Sequence, residues 1–296
     1  LSAATEFSPA KLNLFLAVTG RRPDGYHDLV SVAAPLRWGD ELAAEPGDGE
    51  RDGLTCPDPA VPTGEGNLVL RAAAAFRAAG GQAPALRFAL TKRIPLGAGL
   101  GGGSSNAVAA LRLLQRHAAI PLAAEKLAGV AAGIGADCSL FLASAPVVIR
   151  GRGELISPLA AEPAGRLRGR RVLLFKPGFG IATGGAYGRL AATPDAMIVA
   201  EQAERGLHSW TAAAGRPAEE LLFNSFERST FGPFPALPLL LARLRAAFGV
   251  APLMTGSGSA CFALLPETGG PAIAAMTAAI RSAWGPSAWV AETALF

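Results

Sequence analysis

Three groups of residues in this chain have types and spacings that can do chemistry. The first is Ile94 to Asn106, I-P-L-G-A-G-L-G-G-G-S-S-N, where Gly97, Gly99, Gly101, Gly102 and Gly103 crowd together before Ser104 and Ser105. Helical spacing follows at once, through Ala107, Val108, Leu111 and Leu114. Glycines reach backbone angles closed to other residues, and without Cβ atoms their N–H groups can gather round an anion. A helix behind them adds unsatisfied N–H groups and the positive end of its dipole. The stretch reads as a phosphate cradle, with Ser104 and Ser105 expected to cap the helix and to reach a phosphate or its metal. A flexible linker is the competing reading. The strand-like segment 85–94 on one side and the strong helix on the other weigh against it. No Lys-Ser or Lys-Thr follows the last glycine, so this is not a P-loop. No acidic residue ends a following strand, so it is not the dinucleotide fingerprint.

The second group is a pair of opposite charges. Asp137 is the only acidic residue between Glu125 and Glu154, in the apolar run G-A-D-C-S-L-F-L. A part-buried carboxylate suits a general base; a helix cap or a satisfied buried group is the alternative. The lysines are Lys11, Lys92, Lys126 and Lys176 only, among 27 basic residues. Where arginine serves for positive charge in general, a retained lysine marks a place that needs a compact ammonium. Lys11 and Lys92 both lie beside the motifs that matter. The third group is Tyr26 and His27, after the Asp24-Gly25 bend. An aromatic and an imidazole there can hold a flat ring by stacking and hydrogen bonding; a half-buried Tyr and a surface His is the plainer reading. Tyr187 is the only large side chain in a second small-residue loop, 181–187.

The elements that must position these residues follow from periodicity. Strands are expected over 10–18, with Lys11 and Asn13 on one face, and over 29–36, 39–44 and 85–92. Further strands are expected over 147–150, 154–157, 171–176 and 288–292, and two more flank the glycine turn inside 252–265. Helices are expected over 67–79, 122–133, 219–226, 236–248 and 273–284. Segment 47–63 reads as an exposed loop and 160–170 as a linker. Strands and helices recur in both halves without a regular βαβ rhythm, which indicates an α+β fold.

Composition bounds the function. At 296 residues, two domains are natural, and half of the residues are hydrophobic, as in a globular protein. The net charge of +4 is scattered. No run of Lys or Arg is long enough for a nucleic-acid patch, and a solvated turn explains the densest basic cluster, Arg166, Arg168, Arg170 and Arg171, about as well as a ligand does. Cys56, Cys138 and Cys261 have no paired spacing, which indicates a reducing compartment; no zinc-ligand spacing occurs. Segment 129–149 has the length of a membrane span, but Asp137 and Pro146 mark buried globular segments instead. No signal-peptide pattern precedes the first strand.

Four stretches together resemble one superfamily. S-P-A-K-L-N-L-F-L with G-R-R-P-D-G-Y-H, the glycine loop, G-A-D at 135–137 and T-G-S-G-S-A-C-F at 255–262 are similar to motifs of the GHMP kinases. That superfamily includes galactokinase, homoserine kinase, mevalonate kinase and phosphomevalonate kinase. The D-G-Y-H segment resembles the branch acting on a cytidylated methylerythritol in the non-mevalonate isoprenoid route. The resemblance implies two lobes with the active site between them: an N-terminal domain like ribosomal protein S5 domain 2, over 1–163, and a ferredoxin-like C-terminal domain, over 164–296. It implies ATP as co-substrate with Mg²⁺, and transfer to the free 2-hydroxyl of the erythritol unit. On that resemblance Asp137 takes the hydroxyl proton and Lys11 sits beside it. Pro95, Leu96, Gly97, Ala98, Gly99, Leu100, Gly101, Gly102, Gly103, Ser104 and Ser105 wrap the phosphates, with Asn67 and Lys92 near the nucleotide. Tyr26 and Tyr187 sandwich the cytosine, His27 bonds its edge, and Asn13 and Thr183 touch the substrate. It further implies a cytoplasmic bacterial enzyme, or a plastid one, with a small-molecule substrate, no nucleic-acid or membrane partner, and a monomeric or homodimeric state. Cys138-Ser139 depart from the family's apolar residue and proline after G-A-D. A kinase for mevalonate or homoserine, a catalytically silent nucleotide-binding relative and an RNA-binding protein are the competing readings. The D-G-Y-H segment, the intact Lys11 and Asp137, and the scattered charge argue against them in turn.

Overall fold

The first two strands, β1 (Ala4–Arg21) and β2 (His27–Pro46), carry apolar residues on both faces of their central parts, and both faces there are buried. The structure, a computed structural model, describes residues 3–266 and 272–296. β1 extends past both ends of the expected strand. The expected break at 37–38 does not occur, so β2 is one strand. Gly39 is there because a side chain would overlap the carbonyl of Ser8 on β1; it marks close backbone approach, not a turn.

By packing, the chain divides into two interleaved units, and β1 and β2 each contribute residues to both. The first unit comprises Leu1–Lys11, Trp38–Leu96 and Gly101–Ser144. Here β2 pairs antiparallel with β4 (Leu86–Thr91), and β4 pairs parallel with the short β3 (Gly53–Thr55), which lies inside the segment expected to be loop. Asp52 explains that strand: its carboxylate accepts from Leu86 N and from the Arg77 guanidinium. Four helices belong to this unit: α1 (Leu68–Ala78), α2 (Gly102–His117), α3 (Ala124–Ile134) and α4 (Cys138–Leu142). Segment 129–149, read as buried, is so only in part: α3 buries Ala131 and Ile134 and leaves other positions exposed.

The second unit comprises Leu12–Arg37, Gly97–Leu100 and Ala145–Phe296. β5 (Val147–Arg150) pairs with β2 and with β6 (Leu155–Pro158), the expected hairpin. Segment 160–170 is not a linker, because it forms α5 (Ala161–Leu167). Arg166 lies 4.1 Å from the centre of the Trp210 ring and donates to the carbonyls of Trp210, Ala213 and Arg216. Arg170 pairs with Glu219, so Arg166 and Arg170 are tied into the fold while Arg168 and Arg171 of the same cluster stay exposed. Then come β7 (Arg171–Lys176), α6 (Thr183–Ala191) and α7 (Ala200–Ala212), the last where no element is predicted. The helix expected over 219–226 is instead a 3₁₀ turn (Ala218–Leu221), β8 (Phe223–Asn224) and α8 (Phe226–Thr230). β8 pairs parallel with β1, and buried Asn224 interrupts the helix by donating to the carbonyls of Met254 and Gly256. α9 (Ala236–Phe248), β9 (Pro252–Met254), β10 (Cys261–Leu264), α10 (Ile273–Trp284) and β11 (Trp289–Ala294) complete the chain. The order β11-β7-β10-β9 forms an antiparallel sheet. Among the described residues no helix is long and apolar enough to cross a membrane.

Glu227 on α8 accepts from Met254 N at 2.8 Å, and burial raises its carboxyl pKa from 4.5 to about 7. The native state therefore holds a proton there that the unfolded chain has lost, so stability falls as pH rises from about 4.5 through about 7. Glu227→Gln keeps the acceptor and removes the charge. Urea titrations across this window are expected to show roughly 2–3 kcal/mol less decline in the variant than in the wild type. Parallel slopes would refute this.

Candidate active site

In the first unit, Lys11 Nζ lies 3.5 Å from Asp137 Oδ2. The pair is asymmetric: the lysine side chain is 6% exposed and the carboxylate 43%. A buried ammonium thus holds a carboxylate that still opens to solvent. Asp137 immediately precedes α4 and makes no side-chain cap bond, so the capping reading falls away. Gly101 packs against the same lysine. Its φ is +73°, and an added Cβ would lie 2.8 Å from Phe141 Cζ and 3.0 Å from Lys11 Cγ.

The helix starts inside the glycine run, which corrects the expectation for the serines. Gly101 is the N-cap and Gly102 the first residue of α2, with no side-chain cap bond and no acidic residue in the first turn. The open N–H groups are therefore those of the glycines and Ser104. Ser105 is buried and its hydroxyl accepts from Ser8 at 2.8 Å, while Ser104 hydrogen-bonds the Cys138 thiol, whose pKa burial pushes up to about 11. Lys92 donates to Asp40 at 2.6 Å, and both side chains are buried. Asn67 caps α1, accepting from Val69 N and donating to Pro62 O.

In the second unit, Gly97–Leu100 lies against two other loops. Ala98 O accepts from Ala260 N at 3.2 Å, and a Cβ on Gly99 (φ +75°) would lie 2.7 Å from Thr255 O. Gly180 approaches Gly97 so closely that an added Cβ would sit 3.4 Å from its carbonyl oxygen. Phe179 O, beside that contact, accepts from Lys176 Nζ and Ser259 Oγ. Asn13 is buried; its main-chain N–H donates to Thr255 Oγ1 and its side chain to Ser31 Oγ. Thr183, which opens α6, lies 3.2 Å from Ser257 Oγ.

The aromatic group is partly assembled. His27 and Tyr187 rings lie 5.1 Å apart at 32°, and Tyr187 meets Phe226 edge-on at 4.9 Å. His27 is buried, and its Nε2 has no hydrogen-bond partner among the described residues. Burial, and then the charge of Arg21, lower its pKa, so the imidazole is neutral at neutral pH. Tyr26 is 60% exposed, with the Arg152 guanidinium 5.1 Å from its ring centre. His27 is thus the ring that lies against Tyr187.

The profile of the family described as "GHMP kinases N terminal domain" matches residues 67–144. A relative from Salinibacter ruber named 4-diphosphocytidyl-2-C-methyl-D-erythritol kinase is 38% identical over 280 residues, 93% of each chain. The chain belongs to this kinase family. A member from Methylacidiphilum infernorum is 34% identical over 96% of this chain and 94% of its own. A crystal structure of 4-(cytidine 5'-diphospho)-2C-methyl-D-erythritol kinase has a TM-score of 0.75 at 35% identity, covering 98% of this chain and 99% of that one. Mevalonate kinase from Methanococcus jannaschii has a TM-score of 0.73 at 10% identity over 100% and 99%, a likeness of fold alone. The two-lobed GHMP kinase fold and ATP as co-substrate come with the family.

Sequence reasoning missed Asp40, Ser8, Asn224 and Ser259, which position these loops. A signal existed for Asp40: Leu36, Asp40, Leu42 and Ala44 share one parity on β2, and that parity is buried.

Gly101→Ala is expected to lower stability by about 1–3 kcal/mol, read as a fall in thermal midpoint, and to weaken ATP binding in the same protein. A variant of wild-type stability and affinity would refute the close packing against Phe141 and Lys11.

Proposed function

We propose that this chain uses ATP to phosphorylate the 2-hydroxyl of 4-diphosphocytidyl-2-C-methyl-D-erythritol, in the non-mevalonate route to isoprenoid precursors. An N-terminal nucleotide domain over 1–163 and a C-terminal domain over 164–296 carry the work. The observation that supports the reading best is the Lys11–Asp137 pair. Its carboxylate is accessible, as a base that meets a substrate hydroxyl must be, while its ammonium is buried and fixed.

The substrate oxygen bonds to the γ-phosphorus while the bond from that phosphorus to the β,γ-bridging oxygen breaks and ADP leaves; Asp137 takes up the hydroxyl proton. Lys11 pairs with Asp137 and stabilises the charge spreading over the transferring group. Pro95 opens the loop without a donor of its own, the N–H groups from Leu96 to Ser104 hold the phosphates, and Ser105 supports the loop from within. Asn13 and Thr183 orient the alcohol. His27 offers a neutral Nε2 to the cytosine edge, and Tyr187 and Tyr26 offer ring faces. Among the described residues no group of three or more His, Cys, Asp or Glu side chains could hold a metal ion. A Mg²⁺ would be carried mainly by the phosphates of ATP, and the Ser104 hydroxyl is the loop side chain that would reach it. When bound, the ion neutralises phosphate charge. Asn67 and Lys92 support the nucleotide loop. The enzyme is cytoplasmic in a bacterium, works as a monomer or homodimer, and has no nucleic-acid partner.

The test is ATP turnover with the cytidylated alcohol, the same alcohol without cytidine, mevalonate and homoserine. Turnover of the first alone is expected. Asp137→Asn is expected to lower kcat by roughly 10²–10⁴-fold with the KM for ATP little changed. Turnover of mevalonate or homoserine instead would keep the kinase and sink the cytosine assignment. Tyr187→Ala is expected to raise the KM for the cytidylated alcohol and to leave that for ATP alone; the reverse pattern would remove Tyr187 from the substrate site.

A further inference from the structure

A buried carboxylate outside the reacting groups ties together both ends of the glycine loop. Asp40 on β2 is 0% exposed. Its Oδ1 accepts from Arg93 N at 2.7 Å and Ile94 N at 2.8 Å, where the chain enters the loop. Its Oδ2 accepts from Lys92 Nζ at 2.6 Å and from Asn106 Nδ2 at 2.9 Å, where the chain leaves it on α2. The second Asn106 Nδ2 proton goes to Ser8 Oγ at 2.8 Å, and Ser8 donates to Ser105 Oγ at 2.8 Å. Ser8, Ser105 and Asn106 are buried with Asp40, so water cannot replace these partners. Lys92 is held against the start of α2, with its ammonium 3.0 Å from where a Cβ on Gly102 would stand.

We propose that Asp40 is the positioning residue of the ATP loop, and that Lys92 serves the nucleotide through Asp40 rather than by touching it. The inference rests on the kinase reading, because it takes the loop to bind ATP. The chemistry is that of four donors converging on one anion. An asparagine at position 40 offers one acceptor oxygen and turns an NH₂ toward donors. It leaves two donors unsatisfied and the Lys92 ammonium buried without a counter-charge. The strain falls on both stems of the loop at once. Removing Lys92 alone is milder, since the carboxylate keeps three donors. Removing both charges relieves the buried ammonium.

The experiment compares Asp40→Asn, Lys92→Met and the double variant in the full-length chain. It reads KM for ATP, KM for the cytidylated alcohol, kcat, and direct binding of a fluorescent ATP analogue. Asp40→Asn is expected to weaken ATP and analogue binding about tenfold or more, with the KM for the alcohol within about twofold of wild type. Lys92→Met is expected to weaken ATP less, and the double variant to recover most of the affinity lost in Asp40→Asn. An unchanged KM for ATP in Asp40→Asn, measured well below its thermal midpoint, would overturn the proposal. So would losses in Lys92→Met and Asp40→Asn that simply add, which would put Lys92 on the nucleotide itself. Should Asp40→Asn not accumulate as folded protein, Asn106→Ala carries the same test, and wild-type ATP affinity there overturns the proposal. Analogue binding keeps the two readings separate: if wild type binds ATP analogue but turns over no alcohol, the substrate assignment fails while the comparison of variants still stands.

Discussion

Backbone is packed against backbone and side chain at the glycine loop so closely that Gly99 and Gly101 leave no room for a Cβ and Gly102 leaves little. Gly99 meets the carbonyl of Thr255, Gly101 meets Phe141 and the stem of Lys11, and Gly102 meets Lys92 and Ile94. At Gly99 and Gly101 the positive φ adds a second bar to any other residue. The role proposed for the loop, its N–H groups offered to an anion, leaves none of them to be satisfied internally, so the loop is not stabilised by its own hydrogen bonds. It is held from outside, by the groups that crowd it. Much of the surrounding polar architecture follows from that requirement: Asp40 below the stems, Thr255 and Ala260 beside Gly97–Leu100, and the Lys176 and Ser259 bonds to Phe179 O.

The placement of cations follows the same logic. Arginine does most of the charge work on this protein's surface, and its fork suits pairs such as Arg150 with Glu204. Lys11, Lys92 and Lys176 are different: each is buried and each ammonium reaches a fixed oxygen. Lys176 is buried, and burial lowers its pKa. A compact ammonium fits beside packed glycines where a planar guanidinium would need more room. The scarcity of lysine in the sequence is therefore structural information, and three of the four lysines prove to be internal.

Elements whose stability is local were legible in the sequence. Strand Arg171–Lys176 and helices Ala236–Phe248 and Ile273–Trp284 have clear apolar periods and glycine or proline boundaries, and their limits were readable almost to the residue. Elements fixed by distant partners were not. Ala161–Leu167 is helical because Arg166 finds Trp210, and Phe223–Asn224 is a strand because β1 is beside it and Asn224 finds two carbonyls. The candidate site divides in the same way. Residue types and spacing pointed to Lys11, Asp137, the glycine loop and the aromatic group. The side chains that hold them could be found only by asking which polar residues fall on a buried parity.

The interleaving of the two packing units has a consequence for how this gene can be cut. Each of the first two strands changes unit part-way along, so that Lys11 and Leu12, joined by one peptide bond, are counted on different sides. No single break in the polypeptide separates one unit from the other. Fragment complementation or exchange of segments between homologous enzymes would have to respect strands, not units. A junction placed inside β1 would divide the register on which both Lys11 and Asn13 depend. Inheritance of this site by recombination is therefore close to all or nothing.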